Sequence, residues 1–365
     1  MKKQPRTNCS IPGHIDVRPK TICCVGGKSA GHILPCLTLS QHLQPCQSLF
    51  FSSNGRLDKK ILQEEKSITW HISLPLAKVR YCRPWGILKL LWSFFCALYH
   101  MIRHQPSLLL TTGGISAIPV SCAAFLLRIP ITLHELNAKP GKASLLLAPL
   151  AKKITICFPE TKKNFSRHHH KIFLSSYPLR FDPSQLKRHQ IRKKLEIKQE
   201  KHVLCIVGGS QGSQFINSAI KTLFKQSDTI SNRLHVIHQV GFNDVAEQEQ
   251  WYKQQGISCT VFSYTNNLLR YQAAADCIIC RSGAGSLFEC AALGIQFITI
   301  PLEHAAGGHQ VDNAYAMARS YPKLCRVLRQ KELINQPELL ANAVTQIITA
   351  TPKILSSKDG NRISS

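Results

Sequence analysis

Two similar glycine turns, one in each half of the chain, most constrain how this sequence can fold. The first turn, Gly26–His32, follows the apolar run Ile22–Val25, and the second, Gly208–Ser213, follows Val203–Val207. A helical pattern comes after each turn. A strand, a glycine turn and a helix open a parallel α/β unit, and the helix start after such a turn favours a phosphate group. Because the signal occurs twice, it predicts two similar domains with a cleft between them.

Alternating apolar runs and helical patterns extend this prediction along the chain. At 365 residues and 44% hydrophobic content, the chain is long and apolar enough to bury a large core. Strands that alternate with helices imply right-handed βαβ units and a parallel sheet. The predicted strands are Thr21–Gly26, Leu49–Ser52, Leu108–Thr111, Ile131–His134 and Ile154–Cys157, then Val203–Val207, Leu234–Gln239, Cys259–Phe262, Cys277–Cys280 and Phe297–Pro301.

A change of composition between the two halves predicts the domain boundary. Residues 162–201 are basic and carry Pro178 and Pro183, so we place the linker near Arg180. The predicted domains are residues 1–180 and 181–350, followed by a polar tail at 351–365.

Charge and cysteine usage narrow the class of protein. Lys and Arg number 46 against 20 Asp and Glu, a net charge of +26, which predicts an anionic partner: nucleic acid, an anionic lipid surface or a phosphate-rich substrate. No nucleic-acid-binding motif is recognisable, which argues against the first. The 15 cysteines are scattered and several lie in strand-like runs, which indicates reduced thiols and a cytoplasmic protein.

Residues 1–19 lack the apolar segment of a secretory signal. The longest apolar stretch of the first half, Leu88–Ile102, is interrupted by Lys89 and His100 and reads as too short to span a bilayer. A soluble or peripheral protein is therefore expected.

The first glycine turn places a histidine at a helix start. There the helix dipole disfavours the imidazolium, so His32 would stay neutral near pH 7, as a general base must. The local residues fit equally well a glycine turn with a capping histidine.

Polar residues follow several other predicted strands. His134–Asn137 comes directly after a buried strand, where ligands bind in open α/β sheets. In the second half, small residues at Arg281–Ser286 precede Glu289, a carboxylate suited to vicinal hydroxyls such as those of a ribose. The segment Pro301–Asn313 ends another strand and offers amide side chains suited to sugar hydroxyls.

Six motifs in this order resemble the MurG family of bacterial glycosyltransferases, which make the lipid-linked disaccharide of the cell wall. The matching segments cover most of the chain: Gly26–His32, Thr112–Ser116, His134–Asn137, Gly208–Gly212, Cys280–Glu289 and His304–Ala314. The resemblance implies a GT-B fold, in which two Rossmann-like domains with parallel sheets face a cleft. It also implies an inverting transfer of N-acetylglucosamine from UDP-N-acetylglucosamine to the 4-hydroxyl of the N-acetylmuramyl unit of lipid I, an undecaprenyl-linked acceptor, giving lipid II.

Carried over by resemblance, the site residues fall into three groups. His32 is the expected catalytic base, with Glu135 orienting or polarising the site. The acceptor diphosphate would lie on the glycines of the first domain: Gly26, Gly27, Gly113 and Gly114. The donor would be bound by Ser29, Ala30, Gly31, Asn137, Arg180, Ser210, Thr265, Ser282, Ala284, Gly285, Ser286, Glu289, Gln310 and Asn313, with Glu289 on the ribose and Thr265 on uracil through its backbone.

The sequence departs from the family pattern in four places. The first loop carries Lys28-Ser29-Ala30 and is one residue longer, Tyr177–Arg180 lacks the family's asparagine, Gly307-Gly308 replace a polar pair, and the final helix is shortened or absent after Thr351. Two enzyme alternatives remain open: a GT-B transferase for another UDP-sugar, or a UDP-N-acetylglucosamine 2-epimerase.

No Asp-x-Asp motif follows a predicted strand, so we expect no obligatory metal or other cofactor. A lipid-linked acceptor gives interest to the segment Lys78–Arg103, in which Trp85, Trp92 and other apolar residues lie near Lys78, Arg80 and Arg83. Aromatic and cationic residues together suit a peripheral contact with an anionic membrane surface, expected at the cytoplasmic face of the inner membrane. A buried amphipathic helix fits the same pattern.

Overall fold

The computed structural model describes residues 20–27, 30–63, 65–76, 84–209, 212–226, 231–241, 245–265, 267–303 and 308–350. The chain divides into two compact units, Met1–Arg180 and Phe181–Ser365.

The first unit is built on a parallel sheet of seven strands. Their order across the sheet is β3-β2-β1-β4-β5-β6-β7. The strands are β1 (Thr21–Val25), β2 (Gln47–Ser53), β3 (Trp70–Leu74), β4 (Leu109–Thr111), β5 (Ile131–Glu135), β6 (Lys153–Ile156) and β7 (Ile172–Leu174). The helices are α1 (Ala30–His42), α2 (Arg56–Gln63), α3 (Pro84–His104), α4 (Ala117–Leu126) and α5 (Lys142–Leu147), and a kinked run of 3-10 turns spans Pro159–Lys171.

Helices on both faces of this sheet explain its continuous apolar strands. One face packs against α3 and α4 through residues such as Ala97, Met101 and Val120. The other packs against α1 and α2 through Ile33 and Leu62. The strand order also places β1, β4 and β5 side by side, so their carboxyl-terminal ends lie together at one end of the sheet.

The second unit repeats the architecture with six parallel strands in the order β10-β9-β8-β11-β12-β13. The strands are β8 (His202–Val207), β9 (Leu234–Gln239), β10 (Ser258–Phe262), β11 (Cys277–Cys280), β12 (Gln296–Thr299) and β13 (Cys325–Val327). The helices are α6 (Arg188–Lys194), α7 (Gln214–Lys225), α8 (Val245–Gln254), α9 (Leu268–Ala273), α10 (Ala284–Ala292), α11 (His309–Ser320), α12 (Gln330–Asn335) and α13 (Glu338–Ala350).

A buried carboxylate fastens the first helix of the second unit to its sheet. Asp276 accepts from Arg192 Nη2 at 2.6 Å and also pairs with Arg188. Its Oδ2 accepts from the backbone NH of Val203 at 2.7 Å. Val203 lies near the start of β8, the strand that pairs with β11. A buried charge needs such partners because desolvation alone would be costly. The helix α6 is thus an integral part of the second unit.

The predicted strands agree with the structure to within two residues at each end. The edge strands β3, β7 and β13 were not predicted. The apolar stretch before β4 was expected to be too short to span a bilayer, but it lies within α3, whose 21 residues include a window of mean hydropathy 1.4 and are sufficient by length and composition alone. Gly86, Ser93, Ala97 and Met101, spaced by helical turns, bury one face of α3 on the unit.

Candidate active site

The first glycine turn is closely packed against its neighbours. A Cβ on Gly26 would lie 2.8 Å from the carbonyl oxygen of His32. One on Gly27 would lie 2.7 Å from the backbone nitrogen of Ser53 and 2.8 Å from Ser116 Oγ. Only glycine fits where backbone approaches this closely. The predicted Ser29 lies outside the described residues, and Ala30 and Gly31 begin α1, where backbone NH groups lack partners within the helix.

His32 lies on the first turn of α1, half-buried, with its ring fixed by a neighbouring loop. Its Nδ1 lies 2.9 Å from the carbonyl oxygen of Thr112, and Thr112 Oγ1 donates to the His32 carbonyl at 2.8 Å. A carbonyl only accepts, so Nδ1 carries the hydrogen, and in the neutral ring Nε2 keeps the lone pair. A base needs this tautomer.

The second glycine pair of this unit adjoins the histidine. Gly113 and Gly114 have φ of 81° and 83°, a conformation that favours glycine. A Cβ on Gly114 would lie 4.0 Å from His32 Nε2, so this glycine lines the basic edge of the ring. The structure therefore brings the predicted base and all four predicted acceptor glycines together around the ends of β1 and β4.

Glu135 is buried at the end of β5 and organises the loop that follows. Its Oε1 accepts from the backbone NH of Asn137 at 2.9 Å and from Asn137 Nδ2 at 3.1 Å. Its Oε2 accepts from the NH of Gly141 at 3.3 Å, just before α5. These three hydrogen bonds hold the carboxylate in place and orient the Asn137 amide. The adjacent His134 is buried beside Thr155, and burial lowers its pKa to about 3, with Lys153 adding to the shift.

Two buried groups beside the first turn were given no role from the sequence: Ser116, which ends one of the matched motifs, and Asp58. Ser116 precedes α4 and is buried, and its Oγ has no hydrogen-bond partner within the part of the chain that the structure describes. Asp58 of α2 is also buried, and its carboxylate accepts a hydrogen bond from Ser53 Oγ. Its Oδ2 would lie 3.2 Å from a Cβ placed on Gly27. The Gly-Ile-Ser sequence at 114–116 was the available signal for Ser116. Arg180, the last residue of the unit, is exposed.

The second glycine turn ends at a capped helix. Gly209 and Gly212 have φ of 92° and 76°, and Ser213 Oγ accepts from the NH of Ile216 at 3.2 Å at the start of α7. The predicted Ser210 lies outside the described residues. A Cβ on Gly209 would meet no described atom within 4 Å, whereas one on Gly208 would lie 2.9 Å from the backbone nitrogen of Ser213.

Arg281, at the end of β11, connects the loops around it. Its guanidinium donates to Ser213 Oγ at 2.6 Å, to the Ile300 carbonyl at 3.0 Å and to Gln330 Oε1 at 2.9 Å. Burial lowers its pKa to about 10, so it stays charged at neutral pH. The sequence marked Arg281 as part of a motif but gave it no role, because its partners lie far away along the chain.

The predicted donor residues of β11 and α10 divide into supporting and accessible ones. Ser282 Oγ is buried 2.7 Å from Thr299 Oγ1, and the buried Asn313 donates through Nδ2 to the Ser282 carbonyl at 3.3 Å. The side chains of these two residues therefore support the loop. Ala284, Gly285 and Ser286 form the first turn of α10, where backbone NH groups without partners in the helix favour an anion, and Glu289 lies half-buried further along that helix.

The remaining predicted donor residues lie in the loops after β10 and β12. Thr265 is half-buried, and its Oγ1 accepts from the NH of Asn267 at 3.1 Å. Gln310, in the first turn of α11, accepts through Oε1 from the NH of Leu302 at 3.0 Å, which orients its amide. Among the residues that the structure describes, no group of three or more His, Cys, Asp or Glu side chains could hold a metal ion.

Both halves of the chain match models of one enzyme family. The glycosyltransferase family 28 N-terminal domain matches residues 22–156, and the corresponding C-terminal domain matches residues 203–364. Among solved structures, MurG of Acinetobacter baumannii superposes with a TM-score of 0.68 at 24% identity over 90% of this chain and 91% of its own. UDP-GlcNAc 2-epimerase of Neisseria meningitidis, bound to UDP-GlcNAc, gives 0.57 at 14% identity over 89% of this chain and 100% of its own. These likenesses show the GT-B fold.

Curated relatives distinguish the N-acetylglucosaminyltransferase from the 2-epimerase. The UDP-N-acetylglucosamine–N-acetylmuramyl-(pentapeptide) pyrophosphoryl-undecaprenol N-acetylglucosamine transferase of Syntrophotalea carbinolica is 30% identical over 91% of this chain and 90% of its own length. The enzyme of the same name from Halothermothrix orenii is 30% identical over 84% and 85%. The chain therefore belongs to the MurG family of N-acetylglucosaminyltransferases, within glycosyltransferase family 28.

Proposed function

We propose that this enzyme transfers N-acetylglucosamine from UDP-N-acetylglucosamine to the 4-hydroxyl of the N-acetylmuramyl unit of lipid I, forming lipid II with inversion at the anomeric carbon. Membership of a family whose members carry that activity in their names supports the substrates. The geometry of His32 supports the chemistry: Nδ1 is held by the Thr112 carbonyl, so the neutral ring presents a basic Nε2 beside the glycine loops.

The base acts in a single displacement. His32 Nε2 takes the proton of the acceptor 4-hydroxyl while that oxygen forms the bond to the anomeric carbon. The bond between this carbon and the β-phosphate oxygen breaks at the same time, and UDP leaves with the electron pair. Inversion follows because attack and departure occur on opposite faces of the sugar.

The leaving diphosphate is stabilised by the second unit. The first turn of α10 and the turn after β8 supply backbone NH groups, which favour developing negative charge without a metal. Arg281 adds a fixed cation behind both loops through Ser213 Oγ. Glu289 holds the ribose hydroxyls, the Thr265 backbone contacts uracil, and Gln310 donates its amide NH₂ to the sugar, assisted by Asn137 and Arg180.

The acceptor diphosphate lies on the glycine loops of the first unit. Gly113 and Gly114 have positive φ values that favour glycine, and a Cβ would lie 2.7 Å from Ser144 Oγ at Gly113 and 4.0 Å from His32 Nε2 at Gly114. Ser116 Oγ at the start of α4 supports this assignment, because it is buried without a hydrogen-bond partner among the described residues, which is rare in a folded protein.

We propose a peripheral membrane contact through α3, at the cytoplasmic face. The outward face of α3 exposes large apolar side chains: Trp85 by 75%, Trp92 by 69% and Phe95 by 61%. Contiguous exposed apolar surface of this kind marks interaction with a membrane or a protein. The cations first noted, Lys78, Arg80 and Arg83, lie outside the described residues. Replacement of Trp85 and Trp92 by serine should reduce sedimentation with anionic vesicles, and unchanged sedimentation would contradict the contact.

Release of UDP from UDP-N-acetylglucosamine is the decisive assay. Release that depends on a lipid I analogue, with a β-1,4-linked disaccharide product, is expected. Formation of an N-acetylmannosamine product without acceptor would instead identify an epimerase, and transfer only from another UDP-sugar would identify a different donor.

A further inference from the structure

The start of α12 lies behind two of the loops that the proposed function assigns to the donor. Arg329 precedes this helix and its Nε donates to Glu303 Oε1 at 2.8 Å. Both side chains are largely buried, with 20% and 15% exposed. Shielding of this degree makes a charge pair stronger than one at an exposed surface.

Glu303 connects this ion pair to the predicted sugar-binding amide. Its neighbour Leu302 donates its backbone NH to Gln310 Oε1 at 3.0 Å. The NH of Lys331 also bonds to the Glu303 carboxylate, so two groups at the start of α12 hold it. A displacement of Glu303 would therefore move the NH that orients the Gln310 amide.

Arg329 also reaches the helix that carries Gln310. The Arg329 guanidinium donates to the hydroxyl of Tyr315 on α11, a contact that adds to Glu303 in raising the pKa of Arg329. Arg329 thus contacts Glu303, the residue that follows Leu302, and also the helix that carries Gln310. The branched guanidinium can serve both partners at once, which an ammonium group does less well.

The neighbouring Gln330 holds the other loop. Its Oε1 accepts from Arg281 Nη1 at 2.9 Å, and Arg281 in turn donates to Ser213 Oγ at the second glycine turn. Adjacent residues at one helix start therefore support two sets of loops, one on the sugar side and one on the phosphate side.

From these contacts we infer that Arg329 and Gln330 are positioning residues for donor binding: Arg329 fixes Gln310 against the sugar through Glu303, and Gln330 fixes Arg281 behind the diphosphate. This inference rests on the proposed function and assigns roles to two residues that touch no substrate.

Binding of two ligands separates the two roles. In Arg329→Met, the Kd of UDP-N-acetylglucosamine should rise about three- to tenfold, the loss of about one hydrogen bond, while the Kd of UDP changes less than about twofold. In Gln330→Ala, both Kd values should rise together, since UDP retains the diphosphate. Arg329→Lys should recover part of the loss, and Glu303→Gln should repeat the Arg329→Met pattern.

Arg326→Met is the matched control, because Arg326 is exposed on β13, three residues before Arg329, and its guanidinium donates to Gln346 Oε1 at 2.8 Å. It should change neither Kd. Equal loss of both ligands in Arg329→Met, or no loss, would overturn the assignment, and Glu303→Gln decides the matter in the same way if Arg329→Met does not fold. Absence of transfer by the wild-type enzyme would refute the proposed function, whereas unchanged binding by Arg329→Met in an active enzyme refutes the inference alone.

Discussion

The two glycine turns make the same strand-to-helix connection and differ in packing at their second glycine. A Cβ on the first glycine would crowd backbone in both turns, at 2.8 Å from the His32 carbonyl oxygen for Gly26 and at 2.9 Å from the Ser213 nitrogen for Gly208. A Cβ on the second glycine would lie 2.7 Å from the Ser53 nitrogen at Gly27, but it would meet no described atom within 4 Å at Gly209. The loop glycines Gly283 and Gly308 of the second unit are open to the same distance among the described residues. The first turn is therefore packed tightly on its neighbours, which under the proposed function holds the base, whereas the loops of the second unit leave space beside helix starts, where the donor would bind.

The largest expected effect tests the role of the first turn. Replacement of His32 by alanine should lower kcat by about 10²- to 10⁴-fold, the usual contribution of a general base, with little change in the donor KM. Steady-state kinetics with a lipid I analogue measure both. Near-full turnover by this variant would show that another group is the base, even if the reaction stands.

A matched pair of substitutions tests the packing difference directly. Gly27→Ala forces a Cβ to within 2.7 Å of backbone, so it should lower the free energy of unfolding by about 1–3 kcal/mol. Gly283→Ala meets open space at a φ of −65°, so stability should stay unchanged while donor affinity falls. Chemical denaturation and UDP titration measure the two effects. Equal losses of unfolding free energy in the two variants would show that Gly27 and Gly283 do not differ in packing.

A smaller effect is expected from Glu135→Gln. The carboxylate accepts three NH groups, and an amide would face one of them with its own NH₂. An unsatisfied buried donor costs about 1–3 kcal/mol, so the Asn137 loop should loosen and kcat/KM should fall about tenfold. If Glu135→Gln keeps full kcat/KM while Asn137→Ala loses it, the carboxylate does not act by holding Asn137.

The smallest expected effect is a difference in acid sensitivity between the units. Burial lowers the pKa of His134 to about 3 in the first unit, and those of His238 to about 3 and His235 to about 4 in the second. Their unfolded values lie near 6.5, so the unfolded state binds more protons below that pH. The contribution of these neutral buried histidines to the free energy of unfolding is fully present above about pH 6.5. It declines as the pH falls from there toward the pKa values of the folded state.

Each deeply buried histidine adds a slope of up to about 1.4 kcal/mol per pH unit in this window. In His238→Gln, the free energy of unfolding of the second unit should decline less steeply between pH 7 and 5. Amide hydrogen exchange, which reports on each unit separately, measures this decline. A decline of the same steepness in this variant would exclude His238 as a source.

The sequence predicted the interior of each sheet well and its edges poorly. Interior strands such as Leu234–Gln239 and Cys277–Cys280 are continuous apolar runs because both faces are buried. Trp70–Leu74 alternates between partly buried and exposed positions before the buried Leu74, and Ile172–Leu174 has only three residues and follows a basic segment. Strands as short or as alternating as these lack the long continuous apolar run of an interior strand, since only part of their surface is covered.

The candidate site was predictable in its loops and not in its contacts. Motif order identified the strand ends that carry the glycines, His32 and Glu135. The partner of His32, however, is a backbone carbonyl at Thr112, and the partner of Arg281 is Ser213, both distant along the chain. Such partners follow from strand order in the sheet, which a single sequence shows only indirectly. The roles of the predicted site residues themselves remain predictions for the variants above.

The neutral carbonyl behind His32 has a consequence for where the proton goes. In triads built with aspartate, the partner of Nδ1 is a carboxylate, whereas the partner of His32 Nδ1 is the carbonyl oxygen of Thr112. Because this carbonyl accepts the Nδ1 hydrogen and does not take up a proton, the proton that Nε2 receives in each cycle leaves from Nε2. Under the proposed mechanism, the enzyme is reset by water that enters the acceptor side after lipid II has moved away, which couples product departure to recovery of the base.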